Sequence, residues 1–438
     1  MEYVIGLLVL LVGLLVSIAL HEVGHMVPAK RFGVRVSRYM VGFGPTLWSR
    51  TRGETEYGLK AIPLGGYVRL IGMFPPADVV GARPRAGRVG ELVAAAREQS
   101  AEEIRPGEDH RAFYRLSTPK KLVVMLGGPV MNLLIAAVLV AVVLMGVGIP
   151  GAASTTVGMT LDCILPADAE RTCTSGDAPT PSSEAGLEVG DRIVSYDGRP
   201  VASWAEFTAL VQSAAATTVP MVVERDGREV TLDVEPVTVD RPVWQEDGTP
   251  LLDASGEIVT EPSRYIGFSP TRLLERQPAS AVPPVLWEGV TQTAAVVVAL
   301  PVHLYDLVRS LVTGTERDSG GVLGLVGVGR AAGEIAASDP AVVTQAERVG
   351  RMLSLLASLN LALFAFNLLP LLPLDGGHVV AALWEGLKRQ VARWRRQATP
   401  APADVARMMP LAYGVFIVLA LMSVVLVYAD IVSPVSIT

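Results

Sequence analysis

His21-Glu22-Val23-Gly24-His25 closes an uncharged apolar run from Ile5 to Leu20. On a helix, residues four apart share a face, so His21 and His25 can grip one zinc ion while Glu22 is directed at a water beside the metal. That constellation suits metal-assisted hydrolysis, and its place at the end of an apolar run puts the chemistry inside a membrane. A chain with five histidines in 438 residues rarely forms this spacing by chance. The bland alternative is a helix end carrying polar side chains to the headgroups, yet ionisable groups at the edge of a span are expensive and tend to be functional.

A catalytic zinc takes three protein ligands and keeps one position open. Cys163 and Cys173 are the only cysteines and no CxxC exists, so histidine and carboxylate must supply the set. The favoured third ligand is Asp375, within Asn367 to His378 (NLLPLLPLDGGH). Pro370 and Pro373 lack amide protons and break a helix there, letting a side chain leave the helix line. Irregular backbone at that depth is tolerated only where protein or water covers it. His378 is the rival ligand, while His110 and His303 are remote in the expected topology. Taken alone, the segment also reads as a cytoplasmic loop with an Asp-Gly-Gly turn.

The elements that must position these residues are membrane spans. Half of the residues are hydrophobic, mean hydropathy is +0.42, and the apolar residues gather in long runs. Crossing the hydrocarbon core takes about 20 apolar residues. The sequence therefore predicts a polytopic α-helical membrane protein with four transmembrane helices, at 1–28, 119–149, 351–376 and 409–430. No basic start precedes the first run and no small-residue cleavage site follows it, so that helix is expected to stay. Between Val27 and Lys121 there are 17 Lys and Arg, against 13 Arg and no Lys from Pro150 to Gly350. The first loop is thus expected in the cytoplasm, with both termini and the long central region outside. Lys388, Arg389, Arg393, Arg395 and Arg396, in the expected cytoplasmic basic loop 377–408, agree. At about 1.5 Å per residue, His21 falls near the inner leaflet. Pro284 to Gly314 tempts a fifth crossing but is interrupted by Glu288, Pro301, His303 and Asp306. Its crossing would bring Asp375 out opposite His25, so 281–350 reads as amphipathic helices on the outer surface.

Within 29–75, β-favouring runs alternate with glycine turns, including Leu64-Gly65-Gly66-Tyr67-Val68, and read as hairpins beside the membrane. Residues 76–118 read as a variable cytoplasmic insertion; its stretch Val79 to Glu108, with Arg83-Pro84-Arg85, has little core. Cys163 and Cys173 lie in the outer region, where an oxidising compartment permits a disulfide closing a short loop; two free buried thiols are the alternative. Thr238 to Pro262 reads as an inserted hairpin. The net charge of -6 and the absence of basic blocks interleaved with aromatics argue against nucleic acid as a partner.

His21-Glu22-xx-His25 in the first span, Gly128-Pro129-Val130-Met131-Asn132 in the second, and Asn367-xx-Pro370 through Leu374-Asp375-Gly376 in the third occur together. In this the chain resembles the site-2 protease family of intramembrane zinc metalloproteases, in its bacterial regulator-of-sigma-E-protease form. One departure is Pro373, which follows Pro370 by three residues instead of two. The resemblance implies one catalytic zinc on His21, His25 and Asp375, with Glu22 as general base. It implies substrate-positioning roles for Asn132, Asn367, Gly66 and Tyr67, the last two on a membrane-reentrant sheet whose free edge can pair with an extended substrate. For each Asn, an interhelical hydrogen bond is the alternative. Region 152–270, with Glu184 to Gly198 and a helix from Trp204 to Ser213, resembles an extracytoplasmic PDZ domain of the protease-associated kind, either a peptide groove or a steric plug.

The implied partners are the lipid bilayer and single-pass membrane protein substrates, such as anti-sigma factors already shortened outside, in a bacterial inner membrane; no oligomeric state is assigned. The competing class is a non-enzymatic PDZ-containing membrane receptor or adaptor. A metal transporter would need a polar path that the second and fourth spans do not supply.

Overall fold

A computed structural model describes the chain apart from residues 83–86, 165–172, 175, 215–216, 244–250, 252–258, 314–321, 339–342 and 435–438. The chain divides into two compact units. One comprises Met1–Gly146, Gln277–Ala337 and Arg348–Thr438; the other comprises Val147–Arg276 and Ser338–Glu347.

The first unit opens with α1 (Glu2–Arg31), a helix whose sides are largely exposed apolar surface, as a membrane helix requires. Two long strands follow, β1 (Val36–Arg52) and β2 (Thr55–Leu70), with repeated bulges. Val36–Val41 pairs with Gly66–Leu70, Thr46–Arg52 pairs with Thr55–Lys60, and Arg38–Val41 also lies along Glu56–Leu59. The far end of this hairpin exposes Phe43, Leu47, Trp48 and Ile62. The insertion forms α2 (Arg88–Glu102), although Arg83-Pro84-Arg85 lies outside the described residues. Beyond it, Phe113 and Leu116 join Val34, Val36, Leu70 and Val124 in a buried cluster that ties the hairpin root to α3 (Thr118–Ala141). Helix α3 continues as a π-helical turn, Val142–Val147.

The second unit contains β3 (Ile149–Thr160), α4 (Pro181–Glu184), β4 (Arg192–Tyr196), β5 (Arg199–Pro200), α5 (Trp204–Ser213), β6 (Val219–Arg225), β7 (Arg228–Val234), β8 (Val237–Pro242), β9 (Thr260–Tyr265) and β10 (Phe268–Glu275). An antiparallel sheet runs β10-β3-β4-β6-β7, with β5 paired to β4. Asp197 and Gly198 take φ of 50° and 69° between β4 and β5, the positive pair that an Asp-Gly hairpin turn supplies. Ser203 caps α5 by accepting from the Glu206 amide at 3.2 Å. Ile193, Tyr196, Met221, Val223, Val234 and Phe207 form the core, each worth about 1.5–3 kcal/mol of burial. Beside it, Asp191 accepts from Arg225 Nε at 2.8 Å and Nη2 at 2.7 Å, and from the Glu188 amide at 2.9 Å. Burial pushes the Asp191 carboxyl up, but these donors outweigh it and hold the group below the ordinary aspartate value. Cys163 and Cys173 are joined by a disulfide. Strands β8 and β9 pair as a hairpin, and most of the intervening segment lies outside the described residues.

The chain then returns to the first unit with α6 (Val282–Thr313), α7 (Leu325–Ala337), α8 (Gln345–Asn367), α9 (Asp375–Trp394) and α10 (Met409–Val432). Among the described residues, five helices are long and apolar enough to cross a membrane: α1, α3 with its π turn, α6, α8 and α10. Four were expected; α6 adds a candidate because its polar interruptions do not break the helix. The expected third span to residue 376 instead ends at Asn367. The expected basic loop 377–408 is largely α9, which exposes Val380, Leu383, Trp384 and Leu387 while burying Ala382 and Glu385. Its charges read as a loop only if the underlying 3.6-residue period is overlooked.

Candidate metal centre

The helical spacing of α1 brings His21 and His25 together, with Nε2 atoms 3.2 Å apart. Helix α8 stops at Asn367, Pro370 and Pro373 interrupt the chain, and α9 begins with Asp375. An acid in the first turn is favoured by the unpaired amides there. The reversal is tight: a Cβ on Gly376 would lie 2.2 Å from the Leu369 carbonyl oxygen, and one on Gly377 2.7 Å from the Leu372 nitrogen. The Asp-Gly-Gly sequence is therefore a packing requirement at this site. It delivers Asp375 Oδ2 to 3.4 Å from His21 Nε2 and 3.3 Å from His25 Nε2.

These separations test whether a zinc ion suits the residues. A tetrahedral zinc with bonds of about 2.0–2.1 Å has ligand atoms about 3.3 Å apart, the spacing found here. His25 Nδ1–H donates to the Val124 carbonyl at 2.8 Å, which fixes the tautomer and leaves a lone pair on Nε2 facing the other two atoms. Asp375 Oδ2 is buried with no hydrogen-bond partner. The His25 Nε2 lone pair and the carboxylate oxygen, 3.3 Å apart, repel one another, and a cation between them relieves that repulsion. Among the described residues, these three form the one histidine and carboxylate group compact enough to hold a metal. They fit zinc, and three ligands leave a position open.

Helix α3 forms the floor. Helices α1 and α3 touch backbone to backbone, since a Cβ on Gly24 would lie 2.2 Å from the Gly127 carbonyl oxygen. A Cβ on Gly128 would lie 2.2 Å from His25 Nε2 and 2.7 Å from His21 Nε2. Small residues permit such approach between membrane helices. The Gly-Gly pair ahead of Pro129 is the signal in the sequence.

The remaining expected residues are distributed as follows. Glu22 lies against β2, where a Cβ on Gly66 would be 3.2 Å from Glu22 Cγ. Tyr67 pairs with Met40, and its ring stacks on Phe43 at 6.3 Å between centroids. Asn132 is fully buried one turn beyond Gly128, and neither polar atom of its side chain has a hydrogen-bond partner. Asn367 is half-buried at the end of α8, and no described contact joins it to the histidines. His378 lines a small cavity with Tyr114, Lys121 and Glu385, outside the three-residue group.

A buried pair escaped the sequence reading. Asn360 Nδ2 on α8 donates to Ser17 Oγ on α1 at 3.0 Å, one turn before His21. Polar residues within two apolar runs were its signal, since each needs a partner in lipid.

The chain matches the model of the family described as peptidase family M50 over residues 9–411. It is 32% identical over 438 residues to the zinc metalloprotease Rip1 of Mycobacterium tuberculosis, covering 99% of both chains. Rip1 of Mycolicibacterium smegmatis is 30% identical over 450 residues, with all of both chains covered. The metalloprotease MmpA of Caulobacter vibrioides is 29% identical over 418 residues, covering 92% of this chain and 93% of its own.

Proposed function

The chain belongs to peptidase family M50 and is an intramembrane zinc metalloprotease; from that premise we propose that His21, His25 and Asp375 hold its catalytic zinc and that Glu22 is its general base. The observation carrying this is the convergence of three ligand atoms, within 3.4 Å of one another, from helices hundreds of residues apart in sequence. The receptor or adaptor reading has no comparable support.

Zinc, when bound, supplies Lewis acidity that polarises a scissile carbonyl and makes water nucleophilic near neutral pH. Glu22 takes a proton from the attacking water and later returns it to the leaving amine. The Val124 carbonyl keeps the His25 ring in one orientation. A helical substrate hides its carbonyls and must unwind before cleavage. The Gly66–Leu70 segment of β2 pairs on one edge with β1 and runs past Glu22, so its other edge offers backbone partners to an extended substrate. The unpartnered amide of Asn132 is suited to a further substrate backbone contact. The substrates on this reading are transmembrane segments of single-pass proteins, anti-sigma factors among them, already shortened outside the membrane. Unit Val147–Arg276 acts as a PDZ-like domain outside, its β-sheet and α5 being the supporting features.

We further propose that four helices cross and α6 lies along the outer surface. Gln277, just before α6, donates to the Leu144 carbonyl near the end of α3. Leu307, near the other end of α6, packs on Leu426 and Ala429 near the end of α10. The start of α3 touches α9, Thr118 against Gly386, and Ala412 at the start of α10 clusters with Leu372, just ahead of α9, and with Ala381 within it. These contacts support placing both ends of α6 on the side where α3 and α10 end. With the basic loops inside, both chain termini lie outside the bacterial inner membrane.

The test is Glu22→Gln in purified full-length protein with a shortened single-span substrate. Cleavage should fall by at least about a hundredfold while one zinc per chain is retained. Wild-type cleavage by the variant would overturn the assignment.

A further inference from the structure

A second buried cluster lies away from the ligand set. Glu385 on α9 is 1% exposed, and its carboxylate takes four contacts from three donor groups. Lys121 Nζ reaches Oε1 at 2.9 Å and Oε2 at 2.8 Å, Arg389 reaches Oε1 at 2.7 Å, and the Ala403 amide donates to Oε2 at 2.8 Å. Lys121 is itself buried, in the first turn of α3.

The positions along each helix give the cluster its meaning. On α3, Lys121 precedes Val124, whose carbonyl orients His25, by three residues, and precedes Gly128, on which both imidazoles rest, by seven. Spacings of three and seven put all three on one helical face. On α9, Glu385 follows Asp375 by ten residues, about 15 Å along the axis. Nearby, a Cβ on Gly386 would approach Thr118 Cγ2 to 2.8 Å, so the two helices are in close contact at the ion pair.

We propose that the Lys121–Glu385 pair is a positioning device that sets the register of α9 on α3 and thereby holds Asp375 at the two histidines. A one-residue slip of α9 would move Asp375 by about 1.5 Å along the axis and turn it about 100° away. Apolar packing alone tolerates such slips, because one aliphatic contact resembles the next. A buried charge with a single buried counterpart does not. Replacing a buried ion pair by apolar residues is often neutral for stability, and fixing register is the best-attested use of such a pair. The inference rests on the proposed role of Asp375 as a zinc ligand.

The experiment measures the zinc dissociation constant of full-length protein in detergent by competition with a chromophoric chelator, alongside thermal unfolding. The variants are Glu385→Gln, Lys121→Met/Glu385→Gln, Asp375→Ala and, as a control, Arg97→Met. Arg97 pairs with Asp404 at 2.6 Å, near the cluster but with no described bond to Lys121 or Glu385, so it reports on an ion pair that does not join α3 to α9. The double variant leaves no charge of the pair buried without its partner, and an amide oxygen at position 385 can still accept from Arg389 and the Ala403 amide, so it guards against a single substitution that fails to fold. Zinc binding should weaken roughly ten- to hundredfold in the double variant, as for groups that orient metal ligands, with unfolding close to wild type. Arg97→Met should leave it within about twofold. Wild-type zinc affinity in the folded double variant, with binding lost in Asp375→Ala, would overturn the positioning role alone. Wild-type affinity in Asp375→Ala would instead overturn the ligand assignment beneath it.

Discussion

Replacing Gly128 by alanine adds one methyl group where the structure has room for none. The new carbon would lie 2.2 Å from His25 Nε2 and 2.7 Å from His21 Nε2 and Cε1. Non-bonded heavy atoms settle at about 3.5 Å or more, so His25 must retreat by roughly 1.3 Å, or α1 and α3 must part. Either movement separates the imidazoles from Asp375. A misplacement of about 1 Å costs roughly a hundredfold in rate, about 2.7 kcal/mol of transition-state stabilisation. Helix propensity works the other way, since alanine is favoured over glycine by about 1 kcal/mol in a helix interior. Activity should therefore collapse without a matching loss of stability. The assay compares kcat/KM on a shortened single-span substrate, bound zinc and the melting temperature for Gly128→Ala and Gly146→Ala. At Gly146 the nearest atom would be Val142 Cγ1 at 3.9 Å, an ordinary contact. A Gly128→Ala protein with full zinc and kcat/KM within twofold of wild type would refute the geometry.

Two other outcomes follow from buried polar groups. Asn132→Leu removes an amide that is buried without partners, so it should raise the unfolding free energy by about 1–2 kcal/mol while lowering kcat/KM at least about tenfold; a less stable variant of normal activity would contradict the substrate role. In the second unit, the depressed Asp191 carboxyl contributes stability that is complete above its ordinary value of 3.8 and is lost as pH falls through the lower folded value. Asp191→Asn should cost about 2 kcal/mol at neutral pH and remove that acid dependence. Hydrogen exchange of β4 and β6 amides in the full chain, corrected for intrinsic rates, measures both, and an unchanged acid profile in the variant would rule Asp191 out as its source.

Features written locally were legible in the sequence. HExxH on an apolar helix, the prolines that end α8, and the Asp197-Gly198 turn each depend on neighbours within a few residues. Helix α9 was legible in principle, but its basic residues concealed an amphipathic period. Helix α6 illustrates a different difficulty, because Pro301 and Asp306 suggest interruption while the helix runs through both. The pairs that lock the site were not legible. Lys121 and Glu385 are 264 positions apart, and Ser17 and Asn360 are 343 apart. No periodicity links such residues; only the packing of α1, α3, α8 and α9 brings them into contact. The glycines at the α1–α3 crossing were visible as residues, but their purpose depends on what lies opposite them.

Zinc K-edge absorption of the metal-loaded full-length protein, with and without Asp375, tests the central claim most directly. The account predicts a shell of two imidazole nitrogens and carboxylate oxygen in the wild type, and loss of stoichiometric zinc in Asp375→Ala. Retention of zinc in Asp375→Ala together with its loss in His378→Ala would contradict it and transfer the third ligand to the histidine.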